Sequence, residues 1–199
     1  MAKRNSQLQA FLNSFEAAIR ERTGPSDPAL QAAERIFTAL RRPGDALTAV
    51  PKRLPVCDHF EAAIQSMTGT PSLAARHALA LAAIEPQLTW VQRQGADELG
   101  EPFKSGHANA TIIGRNGLEA RQDVWIGASL IAPGVTYPDH RHPPEEVYVV
   151  LSPGEWRQEH DAWHEPGPGG VVYNPPNILH AMRSSTAPLL ATWCLWAGS

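Results

Sequence analysis

Residues Gly134–Gly154 read GVTYPDHRHPPEEVYVVLSPG and bring two imidazoles and a carboxylate, His140, His142 and Glu146, within seven residues of one another ahead of an apolar run. In an extended segment, side chains at i and i+2 share a face, so His140 and His142 can bind one ion while Arg141 points away. Pro143 and Pro144 cannot donate ladder hydrogen bonds and force a turn, after which Glu146 can face the same ion. Along the strand that follows, Glu146, Tyr148 and Val150 occupy one face, and Val147, Val149 and Leu151 the other. Tyr148 then sits one pleat from the ion.

A second stretch, Gly169–Ser184 (GGVVYNPPNILHAMRS), carries His180 behind a strand and another Pro-Pro turn. Three imidazole nitrogens and one carboxylate oxygen suit one divalent metal ion per chain, Zn, Fe(II), Mn or Ni, and the order of intrinsic affinities does not select among these. His59 and His77 are expected on a helix surface or satisfied in the core. His160 and His164 fall in EHDAWHEPG, whose Gly and Pro favour a hairpin loop over a helix face that would bring them together.

The chain has 199 residues, is 43% hydrophobic and 19% charged, and has a net charge of −3, which places it among ordinary globular proteins. With a pI near 6.2 and basic residues scattered apart from Arg41-Arg42 and Lys52-Arg53, no nucleic-acid partner is expected. No stretch approaches the roughly 18 apolar residues needed to cross a bilayer, so no membrane partner is expected. The start MAKRNSQLQAFLNSFEAAIR lacks an apolar signal core, which implies a cytoplasmic location. Cys57 and Cys194 form no CxxC pair and read as buried thiols of a reducing compartment. Asn109-Ala110-Thr111 matches a glycosylation sequon, without meaning for a protein that does not enter a secretory route.

Working outward, Leu8, Phe11, Leu12, Phe15 and Ile19 predict an amphipathic helix over about 6–22. Ser26-Asp27 before Pro28 is a capped start for a second helix, striped by Leu30, Ala33, Ile36, Phe37 and Leu40, with Arg41 and Arg42 in its last turn. Asp58 opens a third helix, carrying Phe60, Ala63, Ile64 and Met67. Thr70-Pro71 opens a fourth, lined by Leu73, His77, Ala80, Leu81 and Ile84. Helices this short need a partner surface, and a sheet is the expected one. After the Gly-rich stretch 95–106, short β-branched runs at 111–113, 124–131, 147–151, 171–173 and 189–196 predict an antiparallel sandwich or jelly roll. The expected class is α+β, mainly β, with a helical region over 1–95 packed on a β-barrel over 96–199.

The spacing of Gly134, His140-x-His142 and Glu146, followed by Gly169, Pro175-x-Asn177 and His180, resembles the two motifs of the cupin superfamily. Two positions depart from that pattern. Pro153 precedes a closing Gly154 displaced by one, and Asn177 stands where glycine is usual, a substitution the left-handed conformation tolerates. Ser184 replaces the closing Asn at a position that is not a ligand. The short segment between the motifs leaves room for little besides a hairpin. More narrowly, Tyr137, Tyr148 and a helical half before a Trp-rich final strand resemble the Q-type dimethylsulfoniopropionate lyases.

That resemblance implies a small zwitterionic sulfonium substrate cleaved by β-elimination to dimethyl sulfide and acrylate. It implies Tyr148 as base, a metal ion on the substrate carboxylate, and the sulfonium held by aromatic faces from Tyr137, Trp125, Trp193 and Trp196. Tyr137 either closes over substrate, packs at the barrel mouth or itself serves as the base. Two other readings fit the same ligands: a cupin dioxygenase using Fe(II), and a non-catalytic metal-binding cupin sensor. The chain is expected as a monomer or homodimer.

Overall fold

The structure, a computed structural model, describes residues 4–67, 69 and 71–198. Helix α1 (Ser6–Arg22) starts where the Asn5 side chain accepts from the Gln7 amide at 2.8 Å. Helix α2 (Pro28–Leu40) starts at Asp27, whose carboxylate takes the Ala29 amide, with proline at the first helical position. Arg41 and Arg42, expected in its last turn, instead fall just beyond it and are exposed. The third expected helix is divided into a 3₁₀ turn at Pro55–His59 and α3 (Phe60–Gln65). Helix α4 (Leu73–Ile84) is capped by Ser72, and Thr70, proposed above as its start, lies outside the described residues. A single turn, α5 (Phe103–Gly106), leads into the main sheet.

The strands are β1 (Asp45–Ala46), β2 (Trp90–Val91), β3 (His107–Ile113), β4 (Glu119–Ala120), β5 (Val124–Ile131), β6 (Thr136–His140), β7 (Glu146–Val150), β8 (Glu155–Gln158), β9 (Val171–Asn174), β10 (His180–Arg183) and β11 (Leu189–Trp196). The large sheet runs β1-β4-β3-β5-β11-β7-β9, with β2 also on β3, and a small sheet runs β6-β10-β8. Among the described residues, pairing between these strands is antiparallel except for one parallel contact, Ile113 with Glu119. The two sheets face each other as an antiparallel jelly roll, the mainly β architecture expected from the sequence, and among the described residues their edges are not joined into one closed sheet. Three strands of few apolar residues, β6, β8 and β10, build the small sheet, and the segment between the two motifs contributes β8 to it. Residues 45–46 and 90–91, from the helical half, add β1 and β2 to the large sheet.

The large sheet is covered on both faces, so β7 is buried at all five positions. Val147, Val149 and Leu151 join the helix-side core with Phe11, Phe15 and Ile36. Tyr148 and Val150 face the small sheet beside Trp156 and Met182. Helix α2 lies on β7, β9 and β11, and α1 packs on α4. Cys57 and Cys194 are free, buried thiols.

His77 shows how a polar group is accommodated in the helix-side core. Ser14 Oγ donates to the Phe11 carbonyl at 2.8 Å, so the hydroxyl accepts from His77 Nδ1 at 3.1 Å. Nε2 is then left to accept from Thr192 Oγ1 at 2.8 Å, while the ring stacks on Phe15 with centroids 4.6 Å apart. Burial lowers this imidazole from 6.5 to about 3 and keeps it neutral. Below pH 6.5 the unfolded chain takes up a proton at this residue that the folded chain refuses. Stability is therefore lost on acidification by about 1.4 kcal/mol per pH unit until the folded value is reached. The His77→Gln variant should lose about 2 kcal/mol less than wild type between pH 7 and pH 5, read from urea unfolding at both pH values. Equal acid sensitivity in the two proteins would refute this account.

Candidate metal centre

Strand β6 ends at His140, the Pro143-Pro144 turn follows, and β7 opens with Glu146, so the first motif folds into two strand ends joined by a short loop. The second Pro-Pro turn closes over that loop. Asn177 adopts a left-handed φ of 62°, a conformation asparagine tolerates well, and its amide donates to the His142 carbonyl at 3.0 Å. This turn delivers His180 at the start of β10, directly opposite His140 in the register.

Each of the three histidines has its Nδ1 beside a backbone carbonyl: His140 at Pro138 (2.9 Å), His142 at Pro144 (2.9 Å) and His180 at Ile178 (3.0 Å). A carbonyl only accepts, so Nδ1 carries the hydrogen and each neutral ring is left with a bare Nε2. Nε2 of His142 and of His180 lie 3.3 and 3.4 Å from the same Glu146 oxygen. His180 Nε2 is buried and has no hydrogen-bond partner among the described residues. Facing lone pairs repel unless a cation lies between them, and bonds of 2.0–2.1 Å in a tetrahedron set ligand atoms about 3.3 Å apart. The residues present therefore fit a divalent metal ion, with His142, Glu146 and His180 forming a set whose ligand atoms lie within 4.8 Å of one another.

His140 stands beside that set and outside it, its ring centroid 4.0 Å from that of His180. Burial alone would raise the Glu146 carboxyl, but His142 and His180, where protonated, outweigh it by hydrogen bonds and charge and lower it to about 2. Asn174, fully buried, donates to the Glu146 oxygen at 3.1 Å and is itself held by Gln158 at 2.6 Å. The adjacent Glu145 faces the other way, pairing with Arg35 of α2 and accepting from the Tyr173 hydroxyl at 2.9 Å. Consecutive carboxylates on opposite faces of the strand thus anchor the sheet to the helices and shape the centre.

The donor cluster opens into a cavity of about 260 Å³ lined by both tyrosines, Trp125, Trp193 and Arg93. Arg141, expected to point away, also lines its rim, because β6 ends before it and the strand alternation stops there. Trp193 lies across Gly127, where an added Cβ would come within 2.2 Å of the indole. Its Nε1 donates to Ser129 (3.0 Å), Ser129 donates to Asn109 (2.7 Å), and Asn109 donates to the Tyr137 hydroxyl (3.2 Å). The Tyr137 oxygen accepts, so its own hydrogen is free for the cavity. Burial raises the phenols of both Tyr137 and Tyr148, and Glu146 adds to the rise at Tyr148.

Trp196 corrects the sequence expectation. It is an odd number of residues from Trp193, so on β11 it takes the opposite face and packs against the helix-side core. His160 and His164 are exposed and lie outside the cavity. Arg93, Asn109, Ser129 and Asn174 were missed. The Asn109 and Ser129 pair, directly opposed in β3 and β5, was detectable only as polar interruptions of apolar strands.

A sequence model of the dimethylsulfoniopropionate lyase family matches residues 29–191. The chain is 30% identical over 187 residues to the dimethylsulfoniopropionate lyase DddQ of Ruegeria pomeroyi, covering 87% of this chain and 91% of that protein. It is 28% identical over 196 residues to the putative dimethylsulfoniopropionate lyase DddL of Cereibacter sphaeroides, covering 95% and 81% respectively. The fold matches the crystal structure of DddQ from Ruegeria pomeroyi with a TM-score of 0.73 at 28% identity, over 97% of this chain and 92% of that one.

Removing the Asn174 hydrogen bond should weaken metal binding without unfolding the sheet. Chelator competition is expected to show about 10- to 100-fold lower zinc affinity in Asn174→Leu. His180→Ala should lose most of its metal, and a variant that purified fully loaded would remove His180 from the ligand set.

Proposed function

Because the chain belongs to the dimethylsulfoniopropionate lyase family, it is a carbon–sulfur lyase, and we propose that it cleaves dimethylsulfoniopropionate to dimethyl sulfide and acrylate by β-elimination at the His-Glu cavity. The observation that carries this reading is the shared cavity of about 260 Å³, lined by ligand residues His142 and Glu146 together with Tyr137 and Tyr148. There, His142, Glu146 and His180 would hold a divalent ion, Zn, Fe(II) or Mn, with His140 beside them to supply a fourth ligand. When bound, such an ion offsets the Glu146 charge that opposes the Tyr148 phenolate and draws electrons from the substrate carboxylate.

The remaining roles belong to the side chains. Tyr148 Oη takes the proton from the carbon next to the carboxylate. That electron pair forms the Cα=Cβ bond, and the Cβ–S bond breaks with its pair on sulfur, releasing neutral dimethyl sulfide. Tyr137 keeps its proton, since burial raises its phenol, and with Asn109 donating to its oxygen the hydroxyl hydrogen is left to donate toward the carboxylate end. The sulfonium has no N–H or O–H to hydrogen-bond, so the aromatic faces of Trp193 and Trp125 hold it by cation–π attraction. Trp125, 42% exposed, would form the outer wall of the cavity.

Purified protein incubated with dimethylsulfoniopropionate should release dimethyl sulfide into the headspace and acrylate into solution in equal amounts, without oxygen uptake. Tyr148→Phe should lower turnover by at least about 100-fold while metal content stays unchanged. Near-normal turnover in that variant would move the base to Tyr137.

A further inference from the structure

Arg93 leaves β2 on the side of the large sheet where β2 pairs with β3. Its amide donates to His107 Nε2 at 2.8 Å, and that imidazole is fixed by the Phe103 carbonyl at 2.5 Å and by stacking on the Phe103 ring at 3.8 Å. The backbone at Arg93 is therefore held independently of its own side chain. The guanidinium carbon lies 5.6 Å from the Tyr137 ring centroid, at the wall of the cavity.

Arg93 is half-buried and its side chain hydrogen-bonds to Tyr137, but one guanidinium nitrogen, Nη1, is buried and has no hydrogen-bond partner among the described residues. Among the described residues no carboxylate lies within ion-pair distance of this side chain, whereas Arg4, Arg121, Arg157 and Arg183 are each paired, with Glu119, Asp123, Asp139 and Glu155. Glu146, the acid that lines the same cavity, is already engaged by His142, His180 and Asn174. A cation with buried, unsatisfied N–H groups is costly to keep unless an anion from outside the chain completes it. Arg141 at the rim is different, because it is exposed and water satisfies it.

We infer that Arg93 supplies a second carboxylate contact in this cavity, beside the ion and Tyr137, its guanidinium taking a short carboxylate through parallel N–H···O bonds. The planar fork of arginine matches a carboxylate in a way that a point charge does not. A sulfonium at the other end of the substrate is repelled by the guanidinium and directed toward the indoles. Arg93 thereby sets the direction in which a zwitterion enters and rejects cations lacking a carboxylate. The naming of the sulfonium zwitterion rests on the function proposed above; the carboxylate preference rests on Arg93 itself.

Metal-loaded wild type, Arg93→Gln and Arg93→Lys decide the matter, with metal content and circular dichroism matched among them. Arg93→Gln should raise KM for dimethylsulfoniopropionate about 10- to 100-fold and weaken inhibition by acrylate in parallel, with a smaller change in kcat. Inhibition by trimethylsulfonium, which carries no carboxylate, should not weaken, and Arg93→Lys should recover part of the loss. KM and the acrylate inhibition constant both within about twofold of wild type in Arg93→Gln would overturn the assignment. Calorimetric titration with propionate needs no turnover and separates the two ideas. Absence of dimethyl sulfide from wild type would sink the lyase reading alone, while undiminished propionate binding in Arg93→Gln would sink the role of Arg93.

Discussion

The structure depends on an electrostatic problem built into its centre: a buried carboxylate, Glu146, faced by imidazole nitrogens whose hydrogens are already committed elsewhere. The three Nδ1–H···O=C bonds commit the tautomers, and at His142 and His180 they leave lone pairs converging on Glu146. Such a cluster is stable only with positive charge in its midst, which is why its donor geometry reads as a metal site. The elements around it hold those atoms in place, with two Pro-Pro turns setting the loops and the Asn177 amide locking one loop to the other.

Holding a rigid cluster in the mouth of a sandwich requires a sheet that cannot slip. Helix-side and cavity-side residues alternate strictly along β7 and β11, so a one-residue shift would exchange Val147 and Val149 with Glu146 and Tyr148. Arg35 and Tyr173 bind Glu145 on the helix side while Asn174 binds Glu146 on the cavity side, so the register is fixed by polar pairing as well as by packing. The N-terminal helices thus have a direct bearing on the chemistry. They bury the back of the strand that presents the ligand and Tyr148.

Much of the site was legible because motif residues a few positions apart are constrained by local geometry. His142 and Glu146 are separated by a turn that proline enforces, and Tyr148 follows Glu146 by one pleat, so sequence spacing translates into spatial proximity. His180 was legible from its own turn. Trp196 was misplaced because residue type was read without strand parity, and Arg141 because alternation was extended past the end of β6. Arg93 carried no signal and Asn109 only that of a polar residue interrupting an apolar strand, since each acquires its role only where β2 and β3 meet the cavity.

The sequence by itself determined the ligand types, the alternation of β7 and β11, the capped helices and the left-handed turn at Asn177, all of which follow from dihedral preferences and contacts within a few residues. Only the tertiary structure decided that the strands divide into two sheets, that His140 stands beside a set of three, and that an arginine from the helical half lines the cavity. The physical reason is range. Backbone periodicity acts over one or two turns of chain, whereas a cavity is formed by side chains from segments dozens of residues apart, and its contents are fixed only when the sheets have packed.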